Sequence, residues 1–206
     1  MSNTNNTLKS KFNASTIIGL GLLTAIVVVM QFISMGLRFG TFSITLTLIP
    51  IVVGSALYGW GSGAWLGFVF GVIVLLTGDA NLFLAVNVPG TIITVVLKGT
   101  LAGLCAGLVY KLISKKNQIA AVIVSAVVAP VVNTGVFVLG SYVFFFDYLS
   151  ELAKGTNLFV FILVGLVGIN FFIELGINLV LNPAILQIIR IGKKSLHANK
   201  EVIKTK

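Results

Sequence analysis

The chain has 206 residues, 57% of them hydrophobic and 9% charged, with a mean hydropathy of +1.10. That balance excludes a soluble globular domain and reads as an integral membrane protein. One cysteine, Cys105, offers neither a disulfide framework nor a metal cluster, one histidine, His197, sits in the charged tail where it cannot serve intramembrane catalysis, and the net charge of +9 sets topology rather than pointing to nucleic acid.

A polar tail, residues 1–14, carries Lys9 and Lys11. Six apolar segments follow at about 15–35, 44–58, 64–77, 91–112, 119–146 and 158–189. The first is longer than a signal-peptide core and reads as a retained helix. The expected fold is therefore an all-α integral membrane protein with six transmembrane helices and both termini on one side. A spanning helix needs about 20 residues. The second and third segments, joined by "YGWGSG", fall short of that and must be tilted, thinly inserted or extended by polar flanks. The domain reading is a tail over 1–14, one membrane domain over 15–190 and a basic tail over 191–206.

Basic residues orient the bundle. Lys9, Lys11, Lys111, Lys115, Lys116, Arg190, Lys193, Lys194, Lys200, Lys204 and Lys206 fall on the side of the termini. Arg38 and Lys154 fall on the other, and Lys98 lies within a span. The positive-inside rule then places both termini in the cytoplasm of a plasma-membrane protein.

In the first segment Gly21 and Ala25 form a small-xxx-small pair, suited to packing inside the bundle or to docking a partner. The loop after it, "GLRFGTFSIT", carries Arg38 among aromatics. Gly63, Gly67 and Gly71 in the third segment, and Gly99, Gly103 and Gly107 in the fourth, each clear one helix face and predict close contacts within the bundle. Between those segments, "TGDANLFLAVNVPG" supplies Asp79, Asn81, Phe83 and Asn87 and could close as a lid with the first loop.

Polar groups at membrane depth mark a pocket. Thr91, Thr94 and Lys98 share a face of the fourth segment, and Asn133 and Thr134 follow the helix-bending Pro130 of the fifth. In the sixth, Asn170, Glu174, Asn178 and Asn182 recur every four residues as one stripe, with Phe171 beside it and Pro183 just beyond. Counting about 20 residues per span and 1.5 Å per residue puts Glu174 and Lys98 at similar depth, roughly 10 Å below the outer surface. They read either as a buried pair fixing helix register or as the lining of an outward-facing pocket.

No G-x-x-x-x-G-K-S/T phosphate loop occurs, and "LKGT" has lysine and glycine in the wrong order for one. ATP hydrolysis by this chain alone is not expected. Nor are catalytic residues, a bound cofactor or a metal.

The runs "SITLTLIPIVVGSALYGWGSGAWLGFVFGVIVLLTGDANLFL" and "VPGTIITVVLKGTLAGLCAGLVYK", with the six-helix layout and the small pair on the first helix, resemble the substrate-binding S component of energy-coupling factor (ECF) vitamin transporters. The likeness spans about residues 15–190 and is strongest to pantothenate-specific S components. It implies capture of a vitamin from outside, with energy from a transmembrane coupling (T) component and two cytoplasmic ATPases that use ATP and Mg. It also implies that Gly21 and Ala25 stand at the family's AxxxA docking motif, with glycine for the first alanine. For pantothenate, Lys98 or Arg38 would neutralise the carboxylate, with Lys98 preferred. Asn133, Asn170 and Asn178 would bond the hydroxyls and amide, Phe171 or Phe83 would form an apolar wall, and Glu174 would orient Lys98 or accept a hydroxyl.

Self-neutralisation of Lys98 and Glu174 would favour a neutral vitamin or precursor such as pyridoxine or hydroxymethylpyrimidine. A stand-alone carrier using Glu174 as its proton site is the other alternative. It lacks a visible repeat between residues 15–112 and 119–190.

Overall fold

The computed structural model describes residues 14–39, 42–43 and 45–204. The tail lysines Lys9, Lys11 and Lys206 lie outside that range. Among the described residues the regular secondary structure is helical apart from one short hairpin. Helix α1 (Ala14–Gly36) leads into strands β1 (Arg38–Phe39) and β2 (Phe42–Ser43), which pair antiparallel with Arg38 opposite Ser43. Helices α2 (Leu48–Tyr58) and α3 (Trp60–Leu76) are separated by Gly59 alone. Gly59 has φ of 97°, a left-handed conformation that glycine adopts without steric cost and that lets the chain reverse in one residue.

A short helix α4 (Asn81–Leu84) precedes α5 (Val88–Ile113) and α6 (Gln118–Phe144). Both long helices begin on an asparagine cap. The Asn87 side chain accepts from Gly90 N, and the Asn117 side chain accepts from Ile119 N and Ala120 N, satisfying amides that have no partner inside the helix. Helix α7 (Phe146–Ala153) lies in the following connection. Helix α8 (Leu158–Val160), a π-helical segment Phe161–Gly168 and helix α9 (Ile169–Val180) then run on from one another, and α10 (Asn182–Lys204) completes the described chain.

Among the described residues four helices are long and apolar enough to cross a membrane: Ser15–Gly36, Val88–Ile113, Gln118–Phe144 and Leu158–Val180. Helices α2 and α3, at 11 and 17 residues, are shorter, and packing explains α2. It is buried nearly all round, with Leu48, Ile51 and Val52 at 0% exposure, so it occupies the centre of the bundle rather than a lipid-facing position.

The glycines of α3 and α5 face each other. A Cβ at Gly67 would lie on the carbonyl of Gly99 and the reverse, and Gly63 and Gly103 are related in the same way. Ser55 Oγ joins this seam by donating to the Gly103 carbonyl at 3.1 Å. The expected glycine contacts are therefore internal.

The sixth segment differs from its expectation. The predicted single helix over 158–189 is interrupted at Leu181, immediately before Asn182 and Pro183. Pro183 has no N–H to offer the preceding turn and is tolerated in the first turn of a new helix. Helix α10 also continues past residue 190, where the membrane domain was expected to end.

Candidate functional site

At the end of the bundle where the connections after α1, α3 and α6 gather, the helices leave a cavity of about 80 Å³, room for several waters. Helix α5 supplies Thr91, Thr94 and Lys98, α6 supplies Asn133, Thr134 and Phe137, and α9 supplies Asn170, Phe171 and Glu174. Phe70 and Val74 of α3, Val167 of the π-helical segment, and Thr45, Asp79, Phe83 and Phe145 complete the main lining. Spacings of three and four residues bring each helical set to one face.

The Lys98 ammonium lies 5.7 Å from the ring centre of Phe70 and 5.4 Å from that of Phe137, within the range in which a ring face attracts a cation. No hydrogen bond or ion pair joins it to Glu174 among the described residues. The Glu174 carboxylate instead accepts from the backbone N–H of Thr45 at 2.9 Å, and the side chain is 5% exposed. Among the described residues the lining includes one lysine and two acidic side chains, Lys98 of α5, Glu174 of α9 and Asp79 of the turn before α4.

Three further polar atoms in the lining, Thr94 Oγ1, Asn133 Oδ1 and Asn170 Oδ1, are buried without a hydrogen-bond partner in the protein. A buried polar atom left in that state costs about 1–3 kcal/mol, a cost that a polar ligand atom or a water bonded to it would offset. Its apolar wall is an aromatic cluster. Phe83 packs edge-on against Phe137 at 5.4 Å and Phe145 at 4.9 Å. Among the described residues no group of three or more His, Cys, Asp or Glu side chains could hold a metal ion.

Of the residues singled out from sequence, Lys98, Asn133, Asn170, Glu174, Asp79, Phe83, Thr94 and Phe171 line this cavity. Asn178 does not. It lies one turn beyond Glu174, where its Nδ2 donates to the Glu174 carbonyl at 2.8 Å, because a four-residue stripe drifts around the helix. Asn81 is exposed on α4 and packs towards Gly78. Arg38 belongs to β1, and its side chain is outside the described residues. Gly21 and Ala25 are exposed on α1, and a Cβ at Gly21 would meet nothing within 4 Å.

Sequence reasoning missed Thr45, Phe70 and Phe137 in the lining and Gln31 behind it. Phe137 was findable, one turn after Asn133. Thr45 had no signal, because a backbone amide donor leaves no mark in the side-chain pattern.

The family model for the substrate-specific component of ECF transporters matches residues 15–186, so the chain belongs to that family. Its members are membrane-integral substrate-binding subunits of vitamin transporters rather than enzymes. Among solved structures, the chain is similar to ThiT from Listeria monocytogenes, with a TM-score of 0.60 and 20% identity over 83% of this chain and 96% of that one. Identity that low shows the shared fold alone. No curated protein sequence matches the chain significantly.

Proposed function

We propose that this chain, as an ECF substrate-specific component, captures a small vitamin in the cavity around Lys98, with pantothenate the leading candidate. The observation that carries the reading is the separation of charges. Glu174 is engaged by Thr45 N–H, which leaves the Lys98 ammonium, flanked by Phe70 and Phe137, able to meet a ligand carboxylate. Thr94, Asn133 and Asn170 offer hydrogen bonds to hydroxyls and an amide, and Phe83 and Phe171 supply a wall for a gem-dimethyl group. In this reading Asp79 and Glu174 accept ligand hydroxyls.

The cavity opens outward from the plasma membrane, six segments cross or enter the bilayer, and both termini are cytoplasmic, consistent with the basic residues on that side. A transmembrane coupling component and two ATPases supply the energy, using ATP and Mg, and Gly21 and Ala25 on α1 form part of the docking face for the coupling component. Arg38, in the connection that contributes Thr45, is the alternative to Lys98 as the cation for the vitamin's carboxylate.

One observation favours a second reading. Two carboxylates, Asp79 and Glu174, accompany one ammonium in the described lining, which suits a neutral ligand such as pyridoxine or hydroxymethylpyrimidine. Isothermal titration of the purified chain against pantothenate, pyridoxine, hydroxymethylpyrimidine, nicotinate, biotin and thiamin separates them. Tight one-to-one binding of pantothenate alone supports the first reading. Binding of a neutral vitamin alone supports the second, and binding of none overturns both.

A further inference from the structure

The buried face of α1 reaches both connections that close the cavity. Gln31 is 1% exposed, an amide on a helix that is otherwise strongly apolar, and its two ends have different partners. Oε1 accepts from Thr47 Oγ1 at 3.3 Å, and Nε2 donates to Asp79 Oδ2 at 3.3 Å. One turn further along, Ser34 Oγ accepts from the backbone N–H of Leu46 at 3.2 Å. Thr47 and Leu46 directly follow Thr45, whose own N–H holds Glu174. Asp79 itself lines the cavity. One glutamine therefore spans two connections far apart in sequence, and both deliver a group to the same cavity.

We propose that Gln31 is a positioning residue that locks the connection after α1 and the turn before α4 into one register, so that Thr45 and Asp79 are presented together to the cavity. This rests on the reading of the cavity as the vitamin site. A consequence follows from the helix that carries Gln31. Val27, Gln31 and Ser34 form its buried face, whereas Gly21 and Ala25 are exposed. The residue that orders the cavity's two closing segments is thus rigidly attached to an outward face. A partner on that outward face whose binding shifts α1 and changes affinity for the ligand would, by linkage, have its own affinity changed by the ligand by the same factor.

The test is amide hydrogen exchange on the full chain in detergent, with and without Gln31→Met, which keeps the length of the side chain and removes both hydrogen bonds. Exchange should become about five- to ten-fold faster in residues 45–48 and in residues 79–83 together. It should be unchanged at the α3–α5 glycine seam. The pair Gln31→Glu with Asp79→Asn reverses donor and acceptor between the two side chains and should bring both segments back towards wild-type exchange. Unchanged exchange in either segment overturns the proposal, as does uniform acceleration that includes the glycine seam, which would make Gln31 a packing residue only.

Release of pantothenate, measured in parallel, should be faster in Gln31→Met with association unchanged. A wild-type chain that does not bind pantothenate counts against the vitamin assignment alone, because the exchange measurement needs no ligand.

Discussion

The carboxylate of Glu174 is held by the backbone N–H of Thr45, 129 residues earlier in the chain, at 2.9 Å, and not by Lys98. This single bond ties α9 to the connection that follows α1 and decides how the charges of the cavity are distributed. A charged carboxylate at membrane depth is costly unless a partner holds it, and here the partner is main chain, which cannot be altered without altering the loop path.

Glu174→Gln keeps an oxygen acceptor for Thr45 and removes the charge, whereas Glu174→Leu removes both. Titration calorimetry should show that Leu weakens vitamin binding by about 2 kcal/mol or more, with Thr45 N–H then left without its acceptor. Gln should cost less than half as much. Equal losses would mean that the charge, and not the loop contact, is what matters.

Lys98→Met removes the ammonium between Phe70 and Phe137. Binding of an anionic vitamin should weaken by about 2 kcal/mol or more, as expected for loss of a buried charged partner, while a neutral vitamin should lose little. Side-by-side titrations with pantothenate and pyridoxine read this directly, and unchanged affinity for both would remove Lys98 from recognition.

Gly99→Val places a side chain on the Gly67 carbonyl and against the Phe70 ring. The facing atoms include backbone, which cannot move aside, so thermal unfolding in detergent should show a loss of about 3 kcal/mol or more. Gly135→Ala is the control. It has nothing within 4 Å of the added methyl and should be neutral or slightly stabilising.

Gly21→Leu and Ala25→Leu alter an exposed face of α1, so melting temperature and vitamin affinity of the isolated chain should stay as in the wild type. Uptake by cells carrying the whole transporter should fall sharply if this face docks the coupling component. Normal uptake would release α1 from that role, and loss of binding as well would show that the face packs inward after all.

Much of this organisation was written locally. Apolar length, the glycine spacings at 63, 67 and 71 and at 99, 103 and 107, and the basic residues flanking the spans depend only on neighbours along the chain. So does the four-residue polar stripe of the last span, since helical periodicity converts spacing into a shared face. These features determined a helical membrane protein, close glycine-lined contacts within the bundle and a polar region around Lys98, Asn133, Asn170 and Glu174, whereas the pairing of α3 with α5 came from the fold.

The tertiary structure alone decided which polar groups meet. Asn178 obeys the same spacing as Glu174 yet donates to the Glu174 carbonyl, because it stands one turn further along α9 and helical drift carries the stripe off the cavity. Lys98 and Glu174 line one cavity yet take different partners, an aromatic pair for one and the Thr45 amide for the other. Gln31 gave no sign of its role, since its partners lie 16 and 48 residues away. Periodicity fixes the face of a helix on which a residue stands, but partners are chosen by how helices and loops pack in three dimensions, and that depends on contacts between residues far apart in the chain.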